Sequence, residues 1–482
     1  METLPGQPED CSAIYSPDPS VQPGWLRAAR PFPVFPGPHL LVDDALIRAA
    51  TGMARAVIQP VRDPALPNPL VTGPEDRCFQ PFFTVDRRPE DGRWRLWYGA
   101  WGDAKSTGRS YLQYMESDDG IHWQRPARLC ETPEIKFGAT VLDRGPGWGD
   151  TGTRYVYNYW LEGGLRLLVS ADGWTWRPLV EGVILPHNHD INNVWPDPLR
   201  GGYVATLSVH KEDPRWTGRR RTTFQSRSAD LLHWSPPETV LVADPAKGDP
   251  GETQFYAMNG YLVRGPLVIG MVKVLRDDLK ATGTPADAFG RAHTSLAWSR
   301  DGKHWVRDQA QFFEPNDDPA AWDHAHAWID EQVIVGDRVR LYYAGYRLGH
   351  KAERFTGRQI GLVEMPLDRY VARRAPGEGF LETVPMDVTG RLSALTINAA
   401  IAGEVRVQVL DEGGRPVPGL GFADCRPVSG DGVRLPIAWG DESASAALLA
   451  GLSGRVIRLA FRLRKADLFA FEFHASSPLT KP

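Results

Sequence analysis

Short stretches in which apolar and polar residues alternate recur along this chain, and each is bounded by Gly, Pro, Asn or Asp. A period of two is typical of β-strands that bury one face, whereas long runs with the 3.6-residue period of a helix are few. The clearest alternating stretches are residues 94–101, 154–160, 202–210, 267–273 and 339–346. The pattern therefore predicts an all-β protein.

A seven-residue motif, Ser-x-Asp-x-x-x-Trp, occurs four times, starting at Ser117, Ser170, Ser228 and Ser299. The Asp, followed by Gly in three copies, suits a tight turn, and the Trp begins the next strand. Leu231 replaces this Gly in the third copy, so we expect that turn to differ in backbone shape. The intervals of 53, 58 and 71 residues are typical of the four-stranded blades of a β-propeller. We expect the motifs to hold blades together, with the Trp ring packed between neighbouring blades.

These patterns predict three regions. Residues 1–38 are an irregular lead-in, residues 39–380 form a five-bladed β-propeller whose fifth blade has lost the motif, and residues 381–482 form a β-sandwich. The last prediction rests on short alternating strands at 395–398, 405–410, 433–437, 456–463 and 468–473. We expect the sandwich to contribute packing more than sugar binding.

Composition narrows the class of protein. The 482 residues carry a net charge of −4, which indicates no basic surface for nucleic acid or for a membrane. The four cysteines are far apart in sequence, so neither a zinc site nor a disulfide framework is indicated. The first residues lack a secretory pattern, and no apolar run is long enough to span a membrane. We therefore expect a cytoplasmic protein. No cofactor is indicated, and the presence of a central ion and the oligomeric state both stay open.

The inner strands of a propeller surround a central funnel, and their first residues face one mouth together with the ends of the second strands. Polar and aromatic residues recur at these positions, which is the pattern of a ligand site. The predicted substrate-binding residues are Arg77, Gln80, Trp101, Lys136, Trp160, His189, Asn193, His210, Gln254, His324, His326 and His350.

Three carboxylates at these positions, Asp190, Glu252 and Asp323, are the predicted catalytic residues. Cleavage of a glycoside needs two carboxyl groups beside the scissile bond, one protonated and one ionised. Each has a plainer interpretation: Asp190 as a loop cap, Glu252 as part of a turn, and Asp323 as a residue behind His324 and His326.

With the repeated turns, the five blades and the trailing strands assembled, the chain resembles the five-bladed glycosidase superfamily, which includes glycoside hydrolase families 32, 43, 68 and 130. It is similar in particular to bacterial proteins with a family-32-type N-terminal domain, whose openings look like residues 40–47. The resemblance implies hydrolysis of a glycosidic bond, often in a furanoside, by carboxylates at the inner-strand starts. The Trp-Met-Asn-Asp-Pro-Asn opening of fructosidases is absent, and the tripeptide at 62–64 precedes the first blade, so neither assigns a nucleophile.

The sequence thus predicts a glycoside hydrolase acting on a small glycoside or oligosaccharide. A phosphorolytic variant would need clustered cations, for which Arg77, Lys136, His210 and Lys211 are candidates. A non-catalytic carbohydrate-binding propeller would keep aromatic and amide groups at the mouth but lack a pair of carboxyl groups. Another enzyme using a histidine base, such as a lyase, is the remaining alternative.

Overall fold

The computed structural model describes residues 31–35, 37–101, 110–133, 137–148, 152–354 and 356–475, with only the backbone described at 80, 81 and 137–139. Most of the predicted lead-in, residues 1–38, lies outside the described residues. The chain divides into two compact units. One comprises Gln59–Val263 and Val268–Met365, and the other the described parts of Met1–Ile58, Arg264–Leu267 and Pro366–Pro482.

Nearly all regular structure is β-strand, which confirms the predicted all-β class. The first strands in the chain are short: β1 (Phe32–Pro33), β2 (His39–Leu40), β3 (Ile47–Thr51) and β4 (Ala54–Val57). The only helices among the described residues that exceed a single 3-10 turn are α1 (Gly73–Asp76) and α2 (Glu442–Ala450). None of the helices in the described ranges is long and apolar enough to cross a membrane.

The unit that begins at Gln59 contains five consecutive groups of antiparallel strands. Group one has β5 (Cys78–Arg87), β6 (Trp94–Trp101), β7 (Ser110–Ser117) and β8 (Arg128–Leu129). Group two has β9 (Phe137–Asp143), β10 (Tyr155–Trp160), β11 (Gly164–Ser170), β12 (Arg177–Pro178) and β13 (Leu185–Pro186). Group three has β14 (Asn192–Pro196), β15 (Tyr203–Glu212), β16 (Arg219–Ser228) and β17 (Glu238–Leu241). Group four has β18 (Thr253–Arg264), β19 (Leu267–Lys280), β20 (Phe289–Ser299) and β21 (Val306–Phe313). Group five has β22 (His326–Val335), β23 (Arg338–Tyr346) and β24 (Arg358–Pro366).

The first strands of the five groups contact one another in a closed order. β5 contacts both β9 and β22, and β9 contacts β14. The Asn193 amide of β14 donates to the Met258 carbonyl of β18 at 2.6 Å, and Asn259 of β18 donates to Asp330 of β22. Groups four and five share one sheet through a single parallel bridge between Ala292 and His326. The starting ends of the first strands, here called the mouth, therefore face a common space.

All four motif turns follow the third strand of their group, at the end away from the mouth. In each copy the Asp carboxylate accepts hydrogen bonds from the backbone N–H groups two and three residues later, at 2.8–3.0 Å. The indole of Trp305 donates to Gln225 of the preceding group at 3.0 Å, which confirms for this copy that the ring lies between neighbouring groups. The motif therefore stabilises the strand groups at a distance from the mouth.

The turn at Leu231 corrects one expectation. Its φ of 72° matches those of Gly120, Gly173 and Gly302, at 74°, 83° and 71°, so the third turn has the same backbone shape as the others. A left-handed φ is strained for a leucine. The side chain is 1% exposed and packs in an apolar cluster, and this burial offsets the strain.

The second unit forms one nine-stranded sheet from the ends of the chain. Its later strands are β25 (Val371–Thr383), β26 (Met386–Asp387), β27 (Leu392–Asp411), β28 (Val428–Ile437) and β29 (Val456–Ala475). β27 and β29 pair along nearly their whole length with three shifts of register, and β1 to β4 add to β25, β26 and β29. A continuous apolar core lies against these strands. The predicted β-sandwich stays a prediction.

Candidate active site at the mouth of the strand groups

Three aromatic rings from different groups form a floor below the mouth. Tyr256 of β18 stacks on Trp328 of β22 with ring centroids 4.9 Å apart, and Phe82 of β5 lies 6.3 Å from Tyr256 on a nearly parallel plane. All three side chains are buried. We call them the aromatic floor, and the groups described next lie around it.

Asp190 stands beside this floor on the segment that leads into β14. It is about a quarter exposed, and its Oδ1 lies 3.1 Å from Nε2 of His189. The same Nε2 accepts a hydrogen bond from Nε of Arg221 at 3.0 Å. Burial and the nearby Asp190 side chain raise the pKa of Tyr256, and the charges of Arg221, Arg358 and Arg354 oppose this rise, so Asp190 lies within electrostatic range of the floor.

Arg221 joins Asp190 to a second carboxylate. Its NH1 donates to Gln254 at 2.7 Å and to Oδ2 of Asp277 at 3.2 Å, and Gln254 donates to the same Asp277 oxygen at 2.7 Å. Asp277 is partly exposed. Asp190, His189, Arg221, Gln254 and Asp277 thus form one network, the Asp190 network, contributed by β16, β18, β19 and the segment before β14.

The histidines near this network are neutral. Burial lowers the pKa of His187 to about 4 and that of His326 to about 3. Burial, aided by the charge of Arg221, holds the pKa of His189 well below its ordinary value and also lowers that of His210. Charge at the mouth therefore comes from carboxylates and guanidinium groups.

Two further arginines stand beside the aromatic floor without a carboxylate partner among the described residues. Arg358 is 4% exposed and donates to the carbonyls of Phe79 and His350, both at 2.9 Å, while its Nε has no acceptor among the residues that the structure describes. Arg354 is half-buried, and its Nε also lacks an acceptor in the described part of the chain. Burial and the charge of Arg358 lower the pKa of Arg354. Buried cations of this kind are normally paired, so an anionic group would be stabilised here.

The other two predicted catalytic carboxylates have different surroundings. Glu252 is about half exposed at the start of β18, 4.0 Å from Nε of Arg220. Asp323 is 1% exposed, and its Oδ2 accepts from Arg62 at 2.7 Å and from the Tyr343 hydroxyl at 2.9 Å. No described contact joins either carboxylate directly to the Asp190 network.

Several predicted substrate-binding residues serve contacts between strands. The Trp160 indole donates to the carbonyl of His187 at 3.3 Å. Asn193 is buried and bonded to β18, as described above. Arg77 is exposed with its guanidinium 5.5 Å from the Trp101 ring, at the mouth end of group one. Lys136 and the side chain of Gln80 lie outside the described residues.

The histidines of group five pack below and beside the mouth. His324 has both ring nitrogens 2.7 Å from backbone carbonyls, those of Asn316 and Thr282. His326 is bonded to the Gly290 carbonyl and stacks on Tyr346. His350 borders the floor directly, with its ring 4.9 Å from that of Tyr256. The His326 ring also borders the floor, with its centroid 4.8 Å from that of Trp328.

Sequence reasoning missed Arg221, Tyr256, Asp277, Arg354 and Arg358. Alternation could have found two of them: Tyr256 is two residues from Gln254 on the same face of β18, and Asp277 lies four residues beyond Lys273 in β19. The arginines start or precede third strands, positions that sequence reasoning did not consider.

No family model matches the chain, and no curated protein is similar to it in sequence. Solved structures are similar at low identity. A glycoside hydrolase family 130 enzyme that targets β-1,2-mannosidic linkages in Candida mannan is 15% identical, with 65% of this chain and 95% of that chain covered and a TM-score of 0.44. A β-1,2-mannobiose phosphorylase from Listeria innocua is 13% identical (62% and 95% covered, TM-score 0.43). An N-acetylgalactosamine deacetylase from F. plautii is 14% identical (66% and 97% covered, TM-score 0.43). At these values the likeness assigns neither a family nor an activity to this chain.

Proposed function

We propose that the chain is a carbohydrate-active enzyme that cleaves a glycosidic bond at the mouth of a five-bladed β-propeller, with Asp190 as the proton donor. The closed order of the five first strands supports the blade count. The site supports the chemistry because two carboxyl groups, which glycoside cleavage requires, lie there beside guanidinium groups and an aromatic floor that can bind a sugar.

The geometry around His189 carries this proposal. His189 is neutral, and its Nε2 accepts the hydrogen of Arg221, so Nε2 presents a lone pair. Oδ1 of Asp190 lies 3.1 Å from that atom, and a carboxyl oxygen this close to a nitrogen lone pair is favoured in its protonated form over its anionic form. A protonated, partly exposed carboxyl group is what a general acid needs in order to protonate a leaving oxygen.

The second carboxylate of the reaction is best supplied by Asp277. Its carboxylate accepts a hydrogen bond from Arg221, is partly exposed, and is joined to Asp190 through the Asp190 network. In hydrolysis, Asp190 transfers its proton to the glycosidic oxygen as the bond from the anomeric carbon to that oxygen breaks. Asp277 accepts a proton from the water that attacks this carbon. Glu252 is the alternative base, since its carboxylate is free to solvent at the mouth.

The test is cleavage of a panel of aryl glycosides, furanosides included, by the wild type, Asp190→Asn, Asp277→Asn and Glu252→Gln. We expect Asp190→Asn to lose roughly 100-fold or more with a phenyl or nitrophenyl leaving group. The loss should shrink with dinitrophenyl, because a good leaving group needs no proton. Circular dichroism and the Tm of each variant confirm folding.

Equal losses for both leaving groups would show that Asp190 is not the acid. Activity retained in Asp277→Asn but lost in Glu252→Gln would transfer the base to Glu252. A wild type that binds oligosaccharides but cleaves none of the panel, with or without phosphate, would support the carbohydrate-binding alternative.

Phosphorolysis is the second candidate, and Arg354 and Arg358 favour it. Inorganic phosphate would take the place of water, and its charge would compensate the two guanidinium groups. Phosphorolysis would be established by two results: cleavage requires phosphate and releases a sugar 1-phosphate, and the Arg354→Gln variant has a higher KM for phosphate. A cleavage rate that does not depend on phosphate would instead support hydrolysis.

A further inference from the structure

Two hairpins at the mouth are longer than their counterparts. The strands of β15–β16 have 10 residues each and those of β19–β20 have 14 and 11, against six and seven for β10–β11. β15 and β19 both run toward the mouth, because β14 and β18 begin there. The loops that end these hairpins therefore extend past the starts of the first strands.

An exposed aromatic ring lies at the base of the β19–β20 loop. Phe289 is 48% exposed, which is unusual because most large aromatic side chains of the described chain are buried. Its carbonyl accepts from the His350 backbone N–H at 2.8 Å, and the His350 ring contacts Tyr256 of the aromatic floor. Phe289 is therefore one residue removed from the candidate site.

The β15–β16 loop carries a second ring. In this hairpin His210 pairs with Arg221 of the Asp190 network, and Glu212 pairs with Arg219 two positions closer to the loop. Trp216 lies in that loop, and it therefore follows the Asp190 network along the hairpin. Trp216 lines an open hollow of about 380 Å³ together with Glu212, Asp213, Pro214 and Gly218. The Trp216 side chain is partly exposed, and its buried Nε1 has no hydrogen-bond partner in the described structure.

These features suit sugar residues. The C–H face of a sugar ring removes apolar area from water when it packs on an aromatic ring, and carboxylates at the ring edge accept hydrogen bonds from its hydroxyls. The hollow is within the range of volumes that ligands occupy. We propose that Phe289 and Trp216 form outer subsites that bind the distal residues of an oligosaccharide, so that this enzyme acts on chains of several sugars. This inference rests on the proposed function.

The test compares aryl glycosides bearing one, two and three residues of the sugar that the wild type cleaves. We expect Phe289→Ala and Trp216→Ala each to lower kcat/KM for the three-residue substrate roughly tenfold, about 1.4 kcal/mol, and to leave the one-residue substrate within about twofold. Phe289→Tyr, which keeps the ring, should restore the activity. Trp148→Ala is the matched control, since Trp148 is 43% exposed but lies in the β9–β10 connection, away from the mouth.

An equal decrease for all three lengths, or none for any, would overturn the proposal. If the wild type cleaves no glycoside, the proposed function fails, and calorimetric binding of tri- and tetrasaccharides then decides the subsites separately. Binding that Phe289→Ala and Trp216→Ala weaken, and Trp148→Ala does not, would support them. Binding unchanged in these variants, or no binding by the wild type, would overturn them.

Discussion

The ion pair between Lys273 and Asp330 offers a sharp test of how the strand groups are held together. Both side chains are fully buried, Nζ lies 2.5 Å from Oδ1, and Asn259 donates to the same carboxylate. The ammonium group also lies 3.9 Å from the centre of the Phe82 ring. Lys273→Met would keep most of the apolar stem but leave Asp330 buried without its cation.

We expect this change to destabilise the protein by about 3–5 kcal/mol at pH 7, because removal of one partner leaves an uncompensated buried charge. Loss of the contact with Phe82 adds about 1 kcal/mol. The double variant Lys273→Met/Asp330→Asn removes both charges and should recover most of the loss, since a buried ion pair contributes little net stability over neutral groups.

The pH dependence separates this mechanism from a simple packing defect. Burial, opposed by Lys273, raises the pKa of Asp330 to about 6, and burial, opposed by Asp330, lowers that of Lys273 to about 8. The raised carboxyl pKa makes the folded state bind more protons than the unfolded state above about pH 4, so stability falls as the pH rises toward 6. Between pH 6 and 8 these two groups do not change the stability of the wild type, because both are charged in the folded and in the unfolded state. Without Lys273 the pKa of Asp330 rises further, so Lys273→Met should keep losing about 1.4 kcal/mol per pH unit.

Urea unfolding at pH 5, 6, 7 and 8, followed by tryptophan fluorescence, measures these differences. The reasoning would be refuted if the free energy of unfolding of Lys273→Met at pH 7 were within about 1 kcal/mol of that of the wild type. It would also be refuted if the double variant were as unstable as Lys273→Met. A loss that is constant from pH 6 to 8 would also refute the assigned role of the Asp330 charge.

Three further predictions concern single sites. Leu231→Gly should be more stable than Leu231→Ala by about 1 kcal/mol, the reverse of the usual order, because glycine accepts the positive φ; denaturant midpoints of the two variants decide this. Asp323→Asn should lower stability by roughly 3 kcal/mol through loss of the pair with Arg62, while kcat stays within twofold of the wild type. A large loss of kcat in a folded variant would instead support the catalytic assignment. Finally, hydrogen bonds from His233 and two backbone N–H groups hold the pKa of Asp230 well below its ordinary value, so the stability they provide is present above about pH 4 and is lost as the pH falls further. In Asp230→Asn the Tm should therefore decrease less steeply as the pH falls below about 4 than it does in the wild type. An equally steep decrease would show that Asp230 does not provide this stability.

The turns of the motif are closed by near neighbours in sequence, whereas the candidate site joins residues that are far apart in sequence. The Ser-x-Asp turns could be read from sequence because each is closed by its own side chains within seven residues. Even so, Leu231 adopted the glycine conformation, because its burial among strands distant in sequence outweighs a local preference. The position of Asp190 at the mouth followed from counting strand starts, but its link through His189 to Arg221 did not, because Arg221 lies 31 residues later and belongs to another strand.

What the amino-acid sequence by itself determined is the all-β class, the repeated strand groups and the turns at their ends. These rest on periodicity and on hydrogen bonds between near neighbours, which a linear pattern records. The tertiary structure decided which polar residues at the strand starts act together. Asp190, Arg221 and Asp277 meet because three strands bring them to one mouth, whereas Asp323 turns toward Arg62. The same holds for two other contacts: the pairing of strands within residues 31–58 with the C-terminal strands, and the ion pair between Lys273 and Asp330. In both, only the packing of strands that are separate in sequence brings the residues together.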